Sequence, residues 1–169
     1  MHVAKTNRLH LRHIEIEDAG FMLGLLNEPD FIKFVGDKEV RDLDSAQNYI
    51  RQGPVASYDA YGFGLYLAEL IDSGEAIGIC GLLKRSFLES ADLGFALMPA
   101  FCGHGYAFEA AMATIGLARD TLKLPNLVAF TADNNTRSIK LLRKLDMSFD
   151  KMIALPGSDK EVKLFSLRL

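Results

Sequence analysis

Several hallmarks of other protein classes are missing from this 169-residue sequence. It contains no tryptophan and only two cysteines, Cys80 and Cys102, whose separation matches no metal-ligand pair. The four histidines form no zinc pattern, so we expect no bound metal. No apolar run approaches the roughly 18 residues of a membrane span, and the first residues lack the apolar stretch of a secretion signal. These absences favour a cytoplasmic protein with reduced thiols and no membrane contact.

A strong excess of charge of one sign is missing as well. The chain has 19 lysines and arginines against 22 aspartates and glutamates, a formal net charge of −3, and no basic block. Proteins that bind nucleic acids usually carry a basic stripe, so we expect no nucleic-acid partner. With 49% hydrophobic and 24% charged residues, the composition is that of a globular protein whose length suits a single domain, residues 1–169.

Hydrophobic periodicity predicts a mixture of helices and strands. Alternation over residues 6–12 indicates a first strand, and three short helices follow, the third ending near Gly53-Pro54. An antiparallel meander and a β-α-β-α-β segment then complete the chain. The predicted ranges are strands at 61–70, 76–83 and 91–98, a helix at 108–122, a strand at 127–132, a helix opened by 134–138, and a closing hairpin at 150–155 and 162–167.

The most informative segment joins the strand predicted at 91–98 to the helix that follows it. It has the sequence Cys102-Gly103-His104-Gly105-Tyr106-Ala107. A helix start exposes backbone N–H groups that no helical carbonyl accepts, and glycines allow a ligand to come close to that backbone. The spacing therefore predicts a site for phosphate oxygens, although an ordinary strand-to-helix turn has the same pattern.

Two common phosphate-binding motifs do not fit this loop. A nucleotide-binding P-loop needs Gly-Lys-Ser or Gly-Lys-Thr, which the sequence lacks. A dinucleotide fingerprint needs a third glycine at the position of Phe108. The sequence pattern therefore argues against both kinds of nucleotide site.

The order of the predicted elements and five short motifs resemble the GNAT acetyltransferases, and most of all their RimJ/RimL-like branch, which acetylates the N-termini of ribosomal proteins. The motifs are Thr-x-Arg-Leu-x-Leu-Arg at 6–12, Glu17-Asp18-Ala19, Tyr61-Gly62-Phe63-Gly64, Gly105-Tyr106-Ala107-x-Glu109-Ala110 and Asn135-x-x-Ser138. The resemblance implies the GNAT fold, an α+β (mixed α/β) architecture whose central, mostly antiparallel sheet is flanked by helices in the order β-α-α-α-β-β-β-α-β-α-β-β. It also implies direct transfer of an acetyl group from acetyl-CoA to a primary amine in a ternary complex, by a monomer or homodimer.

The same resemblance assigns the cofactor contacts. The loop from Cys102 to Ala107 would hold the pyrophosphate of coenzyme A through its backbone amides. The strand residues Phe95, Ala96 and Leu97 would flank the thioester, and the Leu97 amide would polarise its carbonyl. Asn135 and Ser138 would contact the pantetheine arm, and Asn135 also suits a helix N-cap.

Proton transfer has several candidate residues. Asp92 is the first candidate for the base, acting through a water, and a solvated or salt-bridged carboxylate is the alternative. Glu109 is the second candidate, and favourable pairing with the helix dipole is the preferred explanation for it. Ser138 is a candidate acid, with local capping as the alternative. His104 suits either a phosphate contact or an exposed loop position, while Cys102 has no neighbouring base in the sequence.

The acceptor pocket is predicted less sharply. Phe31, Phe34 and Phe87 fall in segments that wall this pocket in the family, and each suits a core position equally well. The acceptor itself, a protein N-terminus or a small-molecule amine, stays open.

Three departures from the family pattern bear on activity. Ala100 replaces an Arg or Gln that often precedes the loop, and Leu142 stands where many relatives have a tyrosine acid. Asp146 replaces a glycine after the last helix, although aspartate tolerates left-handed geometry better than most residues. The first two departures keep a second interpretation open, a CoA-binding module of the same fold without turnover.

Overall fold

The computed structural model describes residues 1–169 and arranges them as eight strands and six α-helices. The strands are β1 (His2–Lys5), β2 (Leu9–His13), β3 (Leu65–Leu70), β4 (Ala76–Leu83), β5 (Asp92–Leu97), β6 (Asn126–Ala132), β7 (Ser148–Ala154) and β8 (Glu161–Arg168). The helices are α1 (Ala19–Leu26), α2 (Pro29–Phe34), α3 (Leu43–Ile50), α4 (Ala56–Tyr61), α5 (Tyr106–Asp120) and α6 (Thr136–Lys144).

All eight strands form one sheet in the order β1-β2-β3-β4-β5-β6-β8-β7. Every neighbouring pair is antiparallel except β5 and β6, which run parallel because α5 connects them. The mixed, mostly antiparallel sheet flanked by helices confirms the predicted fold class. None of the helices has both the length and the apolar character needed to cross a membrane.

Each face of the sheet has its own hydrophobic core. Side chains alternate between the faces along a strand, so Leu127 and Ala129 of β6 pack toward α5, while Val128 and Phe130 face the other way. The α5 face also buries Ala111 and Ile115, at the helical spacing that the sequence predicts. The opposite core is built mainly from α1, α2 and α3, and its buried residues include Met22, Leu25, Phe31, Ile50 and Leu67.

The sequence pattern missed the first strand. β1 pairs with β2 only, in the register Ala4↔Leu11 and Lys5↔His10, and an irregularity interrupts the pairing between His2 and Ala4. An edge strand with one paired side and few buried residues has no regular alternation of apolar and polar positions. The predicted strand at 6–12 is therefore the second strand of a hairpin, β2.

The prediction that the third helix ends near Gly53-Pro54 is wrong. After α3 the chain makes one π-helical turn, Arg51–Val55, and continues into α4. Proline has no N–H to donate, and wider i→i+5 turns absorb such an interruption without ending the helix. Gly62, with φ 75°, ends α4, so the strand predicted at 61–70 begins only at Leu65.

The end of α6 follows the expectation for Asp146. This residue takes the left-handed conformation, with φ 62°, that glycine usually occupies. The N–H of Met147 then donates to the carbonyl of Leu142 at 3.0 Å, and the chain turns into β7.

Candidate active site

A gap opens in the middle of the sheet, between β5 and β6. The two strands share one pair of opposed residues, Asp92↔Val128, close to the start of β5. Beyond that pair β5 continues to Leu97 and β6 to Ala132 without pairing to each other. The two strands therefore diverge and leave a cleft that is open toward their carboxyl ends.

Backbone amides of β5 point into this gap. Met98 donates its N–H to Ile77 of β4 at 2.8 Å, and Ala91 accepts from Val128 of β6 at 3.0 Å. Because N–H and C=O directions alternate along a strand, the amides of Phe95 and Leu97 face the gap. The amide of Ala96 faces β4 instead, so of the three predicted strand residues only two offer donors to a ligand.

The glycine loop presents an unbroken series of free amides. Gly103 and Gly105 have φ of 80° and 81°, a conformation that residues with a Cβ rarely adopt. The N–H groups of residues 103–108 donate to no protein acceptor, and intrahelical bonding begins with Glu109 donating to Gly105 at 3.1 Å. Consecutive free amides at the positive end of a 15-residue helix make a strong site for an anion.

The β1–β2 turn holds this loop in place. Arg8 donates from Nε to Oε2 of Glu109 at 2.7 Å and from its backbone N–H to Oε1 at 2.8 Å. Thr6 adds a hydroxyl bond to the same carboxylate at 2.5 Å. The Arg8 guanidinium also donates to the carbonyl of His104 at 3.0 Å and lies 4.3 Å over the ring of Tyr106.

Glu109 is therefore a tethered carboxylate. Burial alone would raise its pKa, but the hydrogen bonds from Thr6 and Arg8 outweigh that effect and lower the pKa. A carboxylate with a lowered pKa and three protein donors is a weak proton acceptor. These contacts favour a structural role for Glu109 at the start of α5, the explanation preferred from the sequence, over a role as the base.

Asp92 has the opposite character. Its side chain is almost completely buried at the point where β5 and β6 part, and Oδ2 accepts a hydrogen bond from Nε of Arg85 at 2.8 Å. Burial raises the pKa of Asp92 to about 6, and the hydrogen bond and charge of Arg85 reduce that rise without cancelling it. Oδ1 accepts no hydrogen bond from the protein, so one oxygen is available to a water or a substrate.

The raised pKa predicts how stability depends on pH. The folded protein binds the Asp92 proton more tightly than the unfolded chain, in which the pKa of this group is 3.8, so protonation of Asp92 stabilises the folded state. This contribution to the free energy of unfolding is complete below pH 3.8 and is lost as the pH rises through 6. A rise from 3.8 to about 6 corresponds to about 3 kcal/mol. Between pH 4 and 7, the free energy of unfolding measured in urea should therefore fall by about that much more in the wild type than in Asp92→Asn. Parallel pH profiles of the two proteins would contradict the assignment.

The start of α6 contributes two of the predicted residues. Asn135 is the N-cap and accepts from the N–H of Ser138 through its side-chain oxygen at 3.2 Å. The Ser138 hydroxyl is half-buried and has no hydrogen-bond partner within the protein. Leu142 is buried in the α5-side core, so α6 offers no substitute for the missing tyrosine at that position.

The remaining predicted residues are scattered. Phe31 is buried in the core beneath α1–α3, Phe34 is half-buried beside Lys33, and Phe87 is exposed with its ring 6.1 Å from that of Phe130. Only Phe87 therefore borders the gap.

The two thiols lie in different settings. Cys80 is completely buried, and burial raises the pKa of its thiol to about 12. Cys102 is half-buried, and its closest polar contact is the carbonyl of Met98 at 3.8 Å. The Nδ1 atom of His104 lies 2.9 Å from the Cys102 carbonyl oxygen, so that imidazole is turned toward the backbone of the loop. Neither thiol is paired with a base.

The sequence analysis did not predict that two arginines, Arg85 and Arg8, lie at the site. Arg85 precedes Asp92 by seven residues in an irregular loop, and its guanidinium lies 5.0 Å from the centroid of the Phe130 ring, near the closed end of the gap where Asp92 and Val128 pair. Arg8 belongs to the Thr-x-Arg-Leu motif, but nothing in that motif indicates contact with a loop one hundred residues later. Only the paired strands bring either arginine to the site.

A separate cavity of about 710 Å³ lies beside the carboxyl end of β2. It opens between the end of β2 and α4 and is lined by His13, Ile14 and Tyr58, among others. None of the predicted site residues borders it.

Comparisons with known proteins agree with this geometry. A sequence profile described as "Acetyltransferase (GNAT) domain" matches residues 8–148. The uncharacterized N-acetyltransferase p20 of Bacillus licheniformis is 30% identical over 176 residues, covering 99% of this chain and 96% of p20. A solved acetyltransferase from Agrobacterium tumefaciens superposes with a TM-score of 0.83 at 26% identity, over 98% of this chain and 94% of that one.

A further solved structure shares the fold. RimL, a ribosomal L7/L12 α-N-protein acetyltransferase in complex with coenzyme A, superposes with a TM-score of 0.80 over 100% of this chain and 98% of RimL. Its identity of 15% supports a common fold and nothing more. The profile match and the full-length similarity to p20 together show that the chain belongs to the GNAT acetyltransferase family.

Proposed function

We propose that this protein is an acetyl-CoA-dependent N-acetyltransferase that acts on a primary amine. The observation that carries the proposal is the series of free amides at 103–108, which begins beside a gap into which the amides of Phe95 and Leu97 point. An anion site and a cleft lined by strand donors suit a long ligand with a phosphate group at one end and an amide-containing arm at the other. Acetyl-CoA is such a ligand, and residues 1–169 would bind it as a single domain.

The amides of 103–108 would bind the pyrophosphate. Ala100 offers no side-chain contact, so the backbone and the helix dipole would supply the attraction alone. The pantetheine arm would lie along β5 in the gap, and Asn135 and Ser138, at the start of the helix that follows β6, would contact it from α6. The amides of 103–108 and the Ser138 hydroxyl have no hydrogen-bond partner within the protein, and Asn135 is the N-cap of α6.

The chemistry needs three contributions from the chain. The Leu97 amide would donate to the thioester oxygen as negative charge develops there, and a fixed backbone donor needs no reorganisation. Asp92 would accept the amine proton through a chain of waters that begins at its free oxygen Oδ1, because it lies five residues, about 16 Å along β5, from Leu97. The amine nitrogen would attack the thioester carbon and form the carbon–nitrogen bond, and the carbon–sulfur bond would break. CoA would leave as the thiolate and take a proton from Ser138 or from water.

Acetyl-CoA binding and thiol release test this proposal together. Titration calorimetry should detect saturable acetyl-CoA binding, and a thiol reagent should detect free CoA when a panel of primary amines is added. The panel should contain short peptides with free N-termini, amino acids, polyamines and neutral alkylamines. Absence of acetyl-CoA binding would contradict the proposal as a whole.

A binding module without turnover is the second candidate function. Leu142 at the position of the family's tyrosine acid, together with Ala100, favours it. Tight acetyl-CoA binding without thiol release for any amine would support this alternative. Thiol release that depends on an amine would exclude it.

Loss of the Ser138 hydroxyl should have a small effect. A thiol with a pKa near 8.5 is a stable leaving group at pH 7, so a dedicated acid contributes little. We expect Ser138→Ala to lower kcat by less than about tenfold, below the usual range for an acid–base group. Thr136→Ala, on the same turn but with an exposed side chain, is the matched control. A thousandfold loss in Ser138→Ala with unchanged CoA affinity would identify Ser138 as the acid.

A further inference from the structure

Strand β7 is the free edge of the sheet on the side away from the β1–β2 hairpin. It pairs with β8 only, and six of its seven residues are exposed. Phe149 is 51% exposed and Met152 is 37% exposed, although both side chains are large and apolar. A long edge strand with exposed apolar side chains is a surface on which another strand can pair.

The pairing of β7 with β8 identifies the backbone groups that face outward on this edge. Leu155, just after β7, donates its N–H to the carbonyl of Lys160 at 3.3 Å, so the backbone of Met152, an odd number of residues earlier, faces away from β8. An irregularity between Phe149 and Lys151 adds one residue and shifts the alternation, so the backbone of Phe149 also faces outward. Phe149 and Met152 therefore carry N–H and C=O groups that can pair with a second strand.

The irregularity also places the two apolar side chains on one face of the sheet. Phe149 opposes Phe165 of β8, with ring centroids 6.0 Å apart, and Met152 opposes Lys163. Phe165 and Lys163 are two residues apart on β8, so their side chains point to the same face, the one that α5 covers. Phe149 and Met152 thus form a short apolar stripe along the edge.

Two opposite charges lie between these apolar residues. Asp150 and Lys151 are exposed, and neither forms a salt bridge within the chain. The order along the edge is therefore apolar, acidic, basic, apolar. An antiparallel copy reverses this order, so that acid meets base and Phe149 meets Met152 in one register. A parallel copy in register would instead oppose like charges, which is unfavourable.

We propose that β7 pairs with β7 of a second copy of this chain, antiparallel about a two-fold axis between Asp150 and Lys151. The pairing opposes Asp150 to the partner's Lys151 and Phe149 to the partner's Met152, and the symmetry repeats both contacts. The outward backbone groups of Phe149 and Met152 hydrogen-bond across the axis, and the thioether contacts the aromatic ring. One continuous sheet then runs through both copies.

The size of the contact sets its expected strength. One pair of seven-residue strands buries less surface than the roughly 1,200–2,000 Å² of a stable interface. We therefore expect a reversible dimer with a dissociation constant of about 10–100 μM. Strands β6 and β8 separate β7 from β5, so the pairing leaves the gap open. The inference holds whether or not the protein acetylates an amine.

Sedimentation velocity over a concentration series tests the association. The wild type should change from mostly monomer at about 1 μM to mostly dimer at about 300 μM. A wild type that stays monomeric throughout this range would overturn the inference.

Charge reversals test the register. Asp150→Lys places only lysines at the axis and Lys151→Asp places only acids there, so each variant should dimerise about tenfold or more weakly than the wild type. An equimolar mixture of the two variants restores both ion pairs and should form a heterodimer of wild-type strength. Lys160→Asp, in the exposed turn after β7, is the matched control and should dimerise like the wild type. Unchanged dimers in both variants, or a mixture of folded variants that stays monomeric, would overturn the proposed pairing.

A proline at position 152 tests the backbone contact. The N–H of Met152 faces outward, so Met152→Pro removes a donor that serves only the partner and leaves the β7–β8 hydrogen bonds in place. Met152→Leu retains both the N–H and the apolar side chain. We expect the proline variant to be monomeric at about 300 μM and the leucine variant to dimerise. Wild-type dimerisation of Met152→Pro, with a circular dichroism spectrum that shows it to be folded, would contradict strand pairing.

Discussion

Replacing Asp92 by asparagine should lower kcat/KM by roughly 10²–10⁴, the usual range for the loss of an acid–base group. Asparagine retains an oxygen that accepts the hydrogen bond from Nε of Arg85, so the guanidinium stays in place while the basic oxygen is lost. We therefore expect the effect in kcat, with a smaller change in the KM of the acceptor. Initial rates across a pH series measure both parameters.

The pH dependence of activity distinguishes a catalytic base from a carboxylate whose role is only structural. Burial raises the pKa of Asp92 to about 6, so wild-type activity should rise through that pH as the carboxylate forms. In Asp92→Asn that rise should disappear, and the deficit should shrink at high pH, where the amine is already neutral. Asp44→Asn, at an exposed acid in the first turn of α3, is the matched control. Equal activity of Asp92→Asn and wild type at every pH would transfer the role to a water molecule or to Glu109.

Substituting valine for Gly105 should weaken CoA binding at least tenfold. Gly105 has φ 81°, and a β-branched residue at a left-handed φ is a true outlier, so the loop must rearrange. A Cβ on this residue would also lie 3.3 Å from Nη2 of Arg8, the arginine that positions the loop. Gly103→Val, at φ 80° but with no atom within 4 Å of its Cβ, should act through the backbone alone. Calorimetry with CoA measures both affinities.

Gly157 offers a control with the same strain. It has φ 73° in the turn between β7 and β8, and no atom lies within 4 Å of its Cβ. Gly157→Val should therefore destabilise the fold by a similar amount and leave CoA affinity unchanged. Wild-type CoA affinity in folded Gly103→Val and Gly105→Val would show that the loop does not bind the pyrophosphate.

Local patterns were sufficient to predict the main elements and the position of the glycine loop at the start of α5. The apolar spacing along α5 and the glycines at 103 and 105 are properties of neighbouring residues, and the structure places both as expected. The N-cap role of Asn135 follows from the same kind of signal, because its partner Ser138 is only three residues away. Sequence reasoning succeeds where the interacting groups are close in the chain.

The contacts that charged residues make at the site depend instead on how the strands pair. The contact between Arg8 and Glu109 spans 101 residues, and the approach of Arg85 to Phe130 needs β5 and β6 side by side. No periodicity in one sequence encodes such pairs. The π-helical turn at Pro54 was missed for another reason, since proline usually ends a helix and only the packing around this buried residue favours continuation.

If the glycine loop binds CoA, the hydrogen bonds from Thr6 and Arg8 to Glu109 should couple the edge of the sheet to CoA binding. If opening of the β1–β2 hairpin releases the loop, then bound CoA must dissociate before the hairpin opens, and binding stabilises the closed hairpin by RT ln(1 + [L]/Kd). At a CoA concentration 100 times Kd, hydrogen exchange of the β1 and β2 amides should slow by about 100-fold. Exchange in β7, the opposite edge strand, should respond much less, and equal protection of both edges would show that the tie carries no coupling. With such coupling, bound CoA would lengthen the time for which the N-terminal hairpin stays closed.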